Sequence, residues 1–430
     1  MIRALLASVL VLAASYATAA EHPIDTLKPK HWLEVPNSQM KKVAFKWPRG
    51  IRYSINSIGV KGVMSLWSGG AYDTKRDRLI IWGGGHKGYA GNEIYAFDVN
   101  ALKWERINDP SLKVNERPTK RGRYVDGLPR SCHTYNYVQY VLAIDRFCSF
   151  GTAGGYPSGN DGTSVTWQFD FETKKWKDQG PAGARGIGAY SAVDPVTGRV
   201  FVRGNYPATR LAEWDPKTNK WTDRTGRVNN RTDYYKTAAI DPIGRRFFGV
   251  GRGGVYVYDF GKPGRVTQQV ITTKGPQDVV KSACPGLAYD PMIDKLVGWT
   301  SGPSLWTLDL ETLTWAEVKP AATNTVTPSK PCGTGTYGRF RYVPSKNVYI
   351  LVNSWDTNVF VYRLSDRGAV KVPKRFAEAL KSNNFALVKW AAEQIEGMLS
   401  PEDRKRMDEF RRKVEEDRMR DGERHSNEWR

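Results

Sequence analysis

Residues 82–107 read WGGGHKGYAGNEIYAFDVNALKWERI, and the second half of that stretch returns later: FDVNALKWERI comes back as FDFETKKWKDQ from Phe169 and as LDLETLTWAEV from Leu308. An Asp followed six residues later by a Trp recurs at Asp98 and Trp104, Asp170 and Trp176, Asp215 and Trp221, and Asp309 and Trp315. Trp176 and Trp221 are 45 residues apart, and Trp221 and Trp315 are 94 apart, which is two periods with a degenerate copy, VYVYDFGKPGRVTQQV, between them. A fixed period of that size marks an array of repeated supersecondary units.

Upstream of each phrase lie two short β-rich runs joined by a turn, as in GGAYDTKRDRLIIWGGG, GAYSAVDPVTGRVFVRG, KTAAIDPIGRRFFGVGRGG, GLAYDPMIDKLVGWTSG and GRFRYVPSKNVYILVNS. Each unit therefore reads as strand, Asp/Pro/Gly turn, strand, Gly-rich loop, strand, polar turn and Trp-bearing strand. That is one blade of a β-propeller, with the Asp closing the last turn and the Trp packed between blades. Six units fit between Val60 and Asp366, or seven if residues 43–59 hide a short one. The sixth, ending in VFVYRLSD, lacks its Trp strand, whereas KHWLEVPNS around Trp32 is a Trp strand with no partner before it. The N-terminal strand is expected to complete the last blade and so remove the ring's free edges.

The GGG-His and Asp-to-Trp pattern resembles the bacterial kelch-type, galactose-oxidase-like β-propellers, over about residues 30–366. The resemblance implies an all-β propeller of four-stranded, kelch-like blades. It says little about activity, because one fold carries many functions.

Outside the repeats, Arg3, the apolar run Ala4 to Ala14 and the small residues Ala17-Thr18-Ala19 fit a signal peptide over residues 1–20, so a secreted or periplasmic protein is expected. No later apolar run reaches the length of about 20 residues that a membrane span needs. The propeller is assigned to residues 21–370 and a charged helical tail to 371–430. In that tail Phe376 to Leu399 has helical spacing broken near Ser382-Asn383-Asn384, and Ser400-Pro401-Glu402-Asp403 opens a last helix whose thin apolar stripe, Met407, Phe410 and Val414, suits a solvated helix or a weakly docked arm. Four cysteines in an exported chain suggest two disulfides, Cys132 with Cys148 and Cys284 with Cys332. None has the CxxC spacing of a zinc or redox site, and neither a metal nor another cofactor is expected.

The formal net charge is +21, and almost all of it lies on the propeller. Such a field favours a polyanion. Outside the cytoplasm the expected partner is an acidic polysaccharide rather than nucleic acid, met by a monomer.

In a blade, the loop between the second and third strands and the connection into the next blade open on one face. Sorting by this rule sends His86, His133, Tyr190, Arg203, Tyr234 or Tyr235, and Arg252 to one mouth near the axis. The other three of the five histidines, His22, His31 and His425, lie in terminal segments. Two His with Tyr and Arg in a basic mouth suit β-elimination on a uronic-acid polymer: a cation neutralises the substrate carboxylate, a base takes the C5 proton and an acid protonates the leaving oxygen. His133, Tyr190, Arg203, His86 and Tyr235 are the catalytic candidates, and Tyr89, Asn92, Arg123, Arg130 and Arg252 the substrate-binding ones. The order His133, Tyr190, Arg203, Tyr235 is similar to the His, Tyr and Arg set of propeller-fold ulvan lyases. Glu93 reads as an acceptor that fixes the loop. Insertions at Asn108 to Pro129 and Ala153 to Thr163 add large loops, which in a regular array tend to be functional. A non-catalytic propeller holding an acidic glycan or an envelope partner is the main alternative. Glycoside hydrolysis would need two carboxylates on a mouth that offers only Glu93, Asp126 and Asp161, and a copper radical oxidase would need ligands that the sequence lacks.

Overall fold

A computed structural model describes residues 21–116, 122–151, 155–157, 165–184, 186–205, 209–226, 235–366 and 372–396, with single positions 408, 409, 412, 413 and 416. The expected signal peptide, Tyr234, Asp161 and the stripe Met407, Phe410 and Val414 lie outside the described residues.

Six four-stranded antiparallel sheets form the ring. Blade 1 comprises Gly70–Asp73, Arg78–Ile81, Tyr95–Asp98 and Lys103–Arg106. Its innermost strand is buried along its whole length, as in a sheet covered on both faces, while its outermost strand alternates with only Trp104 buried. The recurring phrase is explained by the turn it makes. The Asp98 carboxylate accepts from the backbone N–H of Asn100 and Ala101 at 2.8 and 2.7 Å, and Leu102 then takes a left-handed φ of +53°. The chain reverses so that Trp104 pairs with Phe97. The same device recurs at Asp170, Asp215 and Asp309, followed by left-handed Lys174, Asn219 and Leu313, which set Trp176 opposite Phe169, Trp221 opposite Trp214 and Trp315 opposite Leu308. The tryptophans then pack across blade seams: Trp82 of blade 1 lies 5.1 Å from Trp176 of blade 2, and Phe150 of blade 2 lies 5.8 Å from Trp221 of blade 3.

The degenerate copy is blade 4, whose fourth strand shrinks to Gln269–Ile271. Residues 43–59 form no strand, so the blades number six. His31–Val35 pairs with Val359–Arg363, placing Trp32 opposite Tyr362 and completing blade 6 as the sequence implied. Trp32 is buried and donates its indole N–H to the Pro303 carbonyl at 2.8 Å.

One expectation changes. All four cysteines are free thiols. Cys132 faces the Tyr137 hydroxyl and the Gly151 carbonyl, whereas Cys148 lies on the second strand of blade 2, Arg146–Ser149, 3.9 Å from the Arg146 carbonyl. Cys332 faces Thr334 at 3.1 Å and Cys284 packs beneath Gly335, so no disulfide joins either expected pair. The first part of the tail packs on the ring, whereas the stripe expected to make a solvated helix or a weakly docked arm lies outside the described residues. Helices Lys374–Ala379 and Phe385–Ile395 bury Phe376, Leu387, Trp390 and Ile395 against Val196, Ile243 and Tyr289 on the face opposite the Gly-rich loops. Arg375 reaches into that face and bonds Asp241 at 2.6 Å and Asp294 at 3.2 Å. Among the described residues no helix is long and apolar enough to cross a membrane.

Candidate functional site

The connection into each blade carries one residue of left-handed backbone two or three positions before the innermost strand: Trp67, Tyr135, Gly188, Tyr235, Cys284 and Tyr337. Neighbouring connections are tied through them. The N–H of Tyr135 donates to Trp67 O at 2.6 Å, that of Cys284 to Tyr235 O at 2.9 Å and that of Tyr337 to Cys284 O at 3.2 Å. This girdle rims the axial end that the Gly-rich loops share, and it is aromatic at four of its six positions.

The histidines sit on its blade 1 and blade 2 side. Gly84, Gly85 and His86 follow one another with φ of +129°, +91° and +43°. A Cβ on Gly83 would lie 2.4 Å from Ser68 Oγ and one on Gly84 2.4 Å from Ser131 Oγ, so the triple glycine lets the loop run against the connections of blades 1 and 2. Its tip closes as a tight hairpin, with the Gly85 N–H donating to Tyr89 O at 2.9 Å. His86 stands exposed on that tip beside exposed Lys87, and its ring lies 4.2 Å, edge to face, from the ring of His133. His133 is buried, 5.0 Å from Trp67 and 5.9 Å from Tyr135. Its Nδ1 lies 2.6 Å from Leu66 O, which fixes the proton on Nδ1 and leaves Nε2 as the lone-pair nitrogen. The Gly84 backbone lies close enough to favour the charged ring slightly, yet among the described residues nothing meets Nε2 in hydrogen-bond geometry. Burial, reinforced by the His86 charge, lowers the His133 pKa to about 4, and partial burial lowers that of His86. Both rings are therefore neutral near pH 7, one exposed and one enclosed.

On the far side of the ring, Tyr235 is half-buried under the guanidinium of exposed Arg252, 4.8 Å from its ring centre. His86, His133, Tyr235 and Arg252 thus share the face to which the sequence assigned them.

The remaining candidates lie elsewhere. Tyr190 is fully buried in the seam between blades 3 and 4, stacked on Phe247 with ring centres 5.9 Å apart. Arg203 is fully buried in the same seam, donating to the Tyr258 hydroxyl at 2.6 Å, to Gln268 Oε1 at 3.2 Å and to its neighbour's carbonyl at Gly204. Tyr89 is buried with its hydroxyl on the Glu93 carboxylate, which also accepts from Tyr95 at 2.7 Å. Glu93 fixes the loop, and burial raises its pKa. Asn92 is buried too, accepting from Ser111 N at 2.8 Å and donating to Pro129 O at 2.7 Å, so it fastens the 108–129 insertion to the blade. Arg123 pairs with Asp178, and Arg130 donates to the Tyr156 carbonyl. Together Ala90, Val114, Tyr124 and Tyr156 make a small apolar cluster with Trp47, Ile51, Tyr53 and Ile55, a wall beside the histidine loop built from the insertions and the segment after the N-terminal strand.

Trp67, Lys87, Tyr135 and Tyr337 do not stand out in the sequence. The signal for three of them is an aromatic residue once per blade, opening WSGG, YNYV and YGRF, but the residues that follow it differ too much to align the three stretches. Among the described residues, no group of three His, Cys, Asp or Glu side chains is arranged to hold a metal ion. No protein-family model matches the chain, and no curated protein matches it either.

Proposed function

We propose that this propeller is an exported lyase that cleaves an acidic, uronic-acid-containing polysaccharide by β-elimination at the mouth over His86. The observation that carries the reading is the pairing of an exposed, neutral imidazole with a buried one that cannot easily share its proton. A general base must be accessible and unprotonated at the working pH, and His86 meets both conditions. His133, locked by Leu66, positions it. Lys87, exposed next in sequence, and Arg252 across the mouth supply the cations that a uronate carboxylate needs to acidify its C5 proton. In the reaction His86 accepts that proton, the C5–H electron pair forms the C4–C5 double bond as the C4–O bond breaks, and the leaving oxygen takes a proton for which Tyr235 is the candidate donor. Tyr190 and Arg203 are buried struts of the blade 3 and blade 4 seam in this reading, so the match to the ulvan-lyase order rests on His133 and Tyr235 alone.

A second reading is favoured by that same burial. With Tyr190, Arg203, Tyr89 and Asn92 committed to packing, the mouth suits a binding propeller that grips acidic glycan through its cations and aromatic rim. One screen separates the two. Incubation with a panel of uronic-acid polymers, followed by ultraviolet absorbance and reducing-end release, should yield an unsaturated product with both signals rising together. A His86→Ala variant should then lose about 10²–10⁴-fold in rate while still binding. Reducing ends without absorbance would mean hydrolysis, and neither signal from a protein that still binds would establish the binding reading.

A further inference from the structure

Arg341 lies on the innermost strand of blade 6, Phe340–Val343. Its side chain crosses the axial channel: Nη2 donates to Gly70 O of blade 1 at 2.8 Å and reaches Gln139 Oε1 of blade 2 at 3.3 Å, while Nε donates to Gly338 O at 3.1 Å. Glycine is required around it, since a Cβ on Gly338 would lie 2.5 Å from Arg341 Nη2 and 2.1 Å from Gly70 O. No acidic side chain faces this guanidinium among the described residues. Burial alone lowers its pKa to about 10, with no carboxylate acting in the other direction. Two buried arginines are met by the chain itself: Arg375 has two aspartates, and Arg339 spends all three nitrogens on the carbonyls of Thr336, Met64 and Gly335. Arg341 Nη1 makes no hydrogen bond to the described residues and is not sealed from the channel.

The polar belt continues around the axis. Gln139 Nε2 donates to Ser191 O and Oγ at 2.8 and 3.1 Å, and Ser191 Oγ donates to Asn136 O at 2.8 Å. Asn136 accepts from the Ala238 N–H of blade 4 at 2.8 Å, so its amide spans blade 3 inside the ring. Asn136 is fully buried, and its Nδ2 has no hydrogen-bond partner. A cation and an unmet N–H donor therefore occur in one axial belt in which, among the described residues, no carboxylate meets either.

From this juxtaposition we infer that the axial channel holds a small inorganic monoanion of the chloride class at Arg341. Arg341 is half-buried in the lumen and no carboxylate of the described residues offsets its charge, which a small anion reaching Nη1 would do. The donor geometry favours a single-atom ion over a carboxylate, because Nε and Nη2 are already engaged and a two-pronged grip on a carboxylate needs adjacent free N–H groups. The site is independent of the mouth chemistry; its direct partners lie in blades 6, 1 and 2, and the polar belt continues from them to blades 3 and 4. Bound ion should accordingly stabilise the closed ring.

The test uses the whole chain in sodium chloride against sodium methanesulfonate at equal ionic strength, a pairing that involves no sugar acid. The thermal midpoint should rise by about 2–5 °C in chloride. Arg341→Gln should abolish that difference. Bromide soaked into wild-type crystals should give an anomalous peak against Arg341 Nη1, a readout that stands even if the variant does not fold. Equal midpoints of the wild type in the two salts, an undiminished chloride effect in the variant, or no bromide peak at Arg341 would each overturn the assignment.

Discussion

At His133 a single hydrogen bond and the surrounding burial decide how the site behaves with pH. With Nδ1 donating to Leu66 O and the ring enclosed by Trp67, Tyr135 and His86, the folded state holds the proton only below about pH 4, against an ordinary value of 6.5. The unfolded chain binds that proton first as pH falls. Stability from neutral His133 is therefore complete above about pH 6.5 and is lost progressively down to about pH 4, a change of about 3 kcal/mol. Asp290 and Asp294, raised to about 6 by burial, work in the opposite sense, because the folded state takes up their protons first. Comparing the wild type with His133→Gln cancels those carboxylates. The stability gap between the two, measured by urea unfolding, should narrow by about 3 kcal/mol from pH 7 to pH 4. A gap independent of pH would show that the ring is not held neutral.

Elements whose logic is local are legible in the amino-acid sequence alone. The Asp-to-Trp phrase encodes a complete turn, with side-chain acceptor, left-handed residue and paired Trp, within seven residues, so it survives as a pattern in four blades. Closure by His31–Val35 is legible because one unit lacks a strand and another strand lacks a unit. The site is legible only to the level of a face. At the entry to a blade, residues one or two apart point to different surroundings, so choosing Tyr190 rather than the rim position, Gly188, puts the side chain in a seam instead of at the mouth. The seating of the first tail helices is illegible in the sequence for a related reason: besides their apolar stripe, what anchors them is Arg375, whose partners Asp241 and Asp294 lie at strand-one to strand-two connections more than 80 residues upstream. Arg375→Ala should leave Asp294 without its cation and Asp241 with Arg246 alone, lowering the unfolding free energy by about 2–3 kcal/mol in urea titrations. An unchanged midpoint would mean that apolar contacts alone seat the helices.

Over the whole molecule, two faces of the ring are used differently. The face of the strand-one to strand-two turns is neutralised by its own ion pairs, Asp73 and Asp145 with Arg76, Asp194 with Arg245, and Asp241 with Arg246 and Arg375. The opposite face presents exposed Lys87 and Arg252 around a rim of aromatic residues. With a net charge of +21, affinity for a uronic-acid polymer should fall steeply between about 50 and 300 mM salt, since exposed charges are screened over about 8 Å at physiological ionic strength. Salt-independent binding, or equal binding of a neutral glucan, would separate the charge from the function. Most directly, amide hydrogen exchange of the full chain should be followed with and without a uronic-acid oligosaccharide. Protection is expected at residues 83–89, 133–137 and 251–253, where the Gly-rich loops and blade entries meet around His86 and Arg252. Protection confined to the opposite turns, at residues 74–77, 194–198 and 241–245, would place the ligand on the wrong face and contradict a site at the His86 mouth.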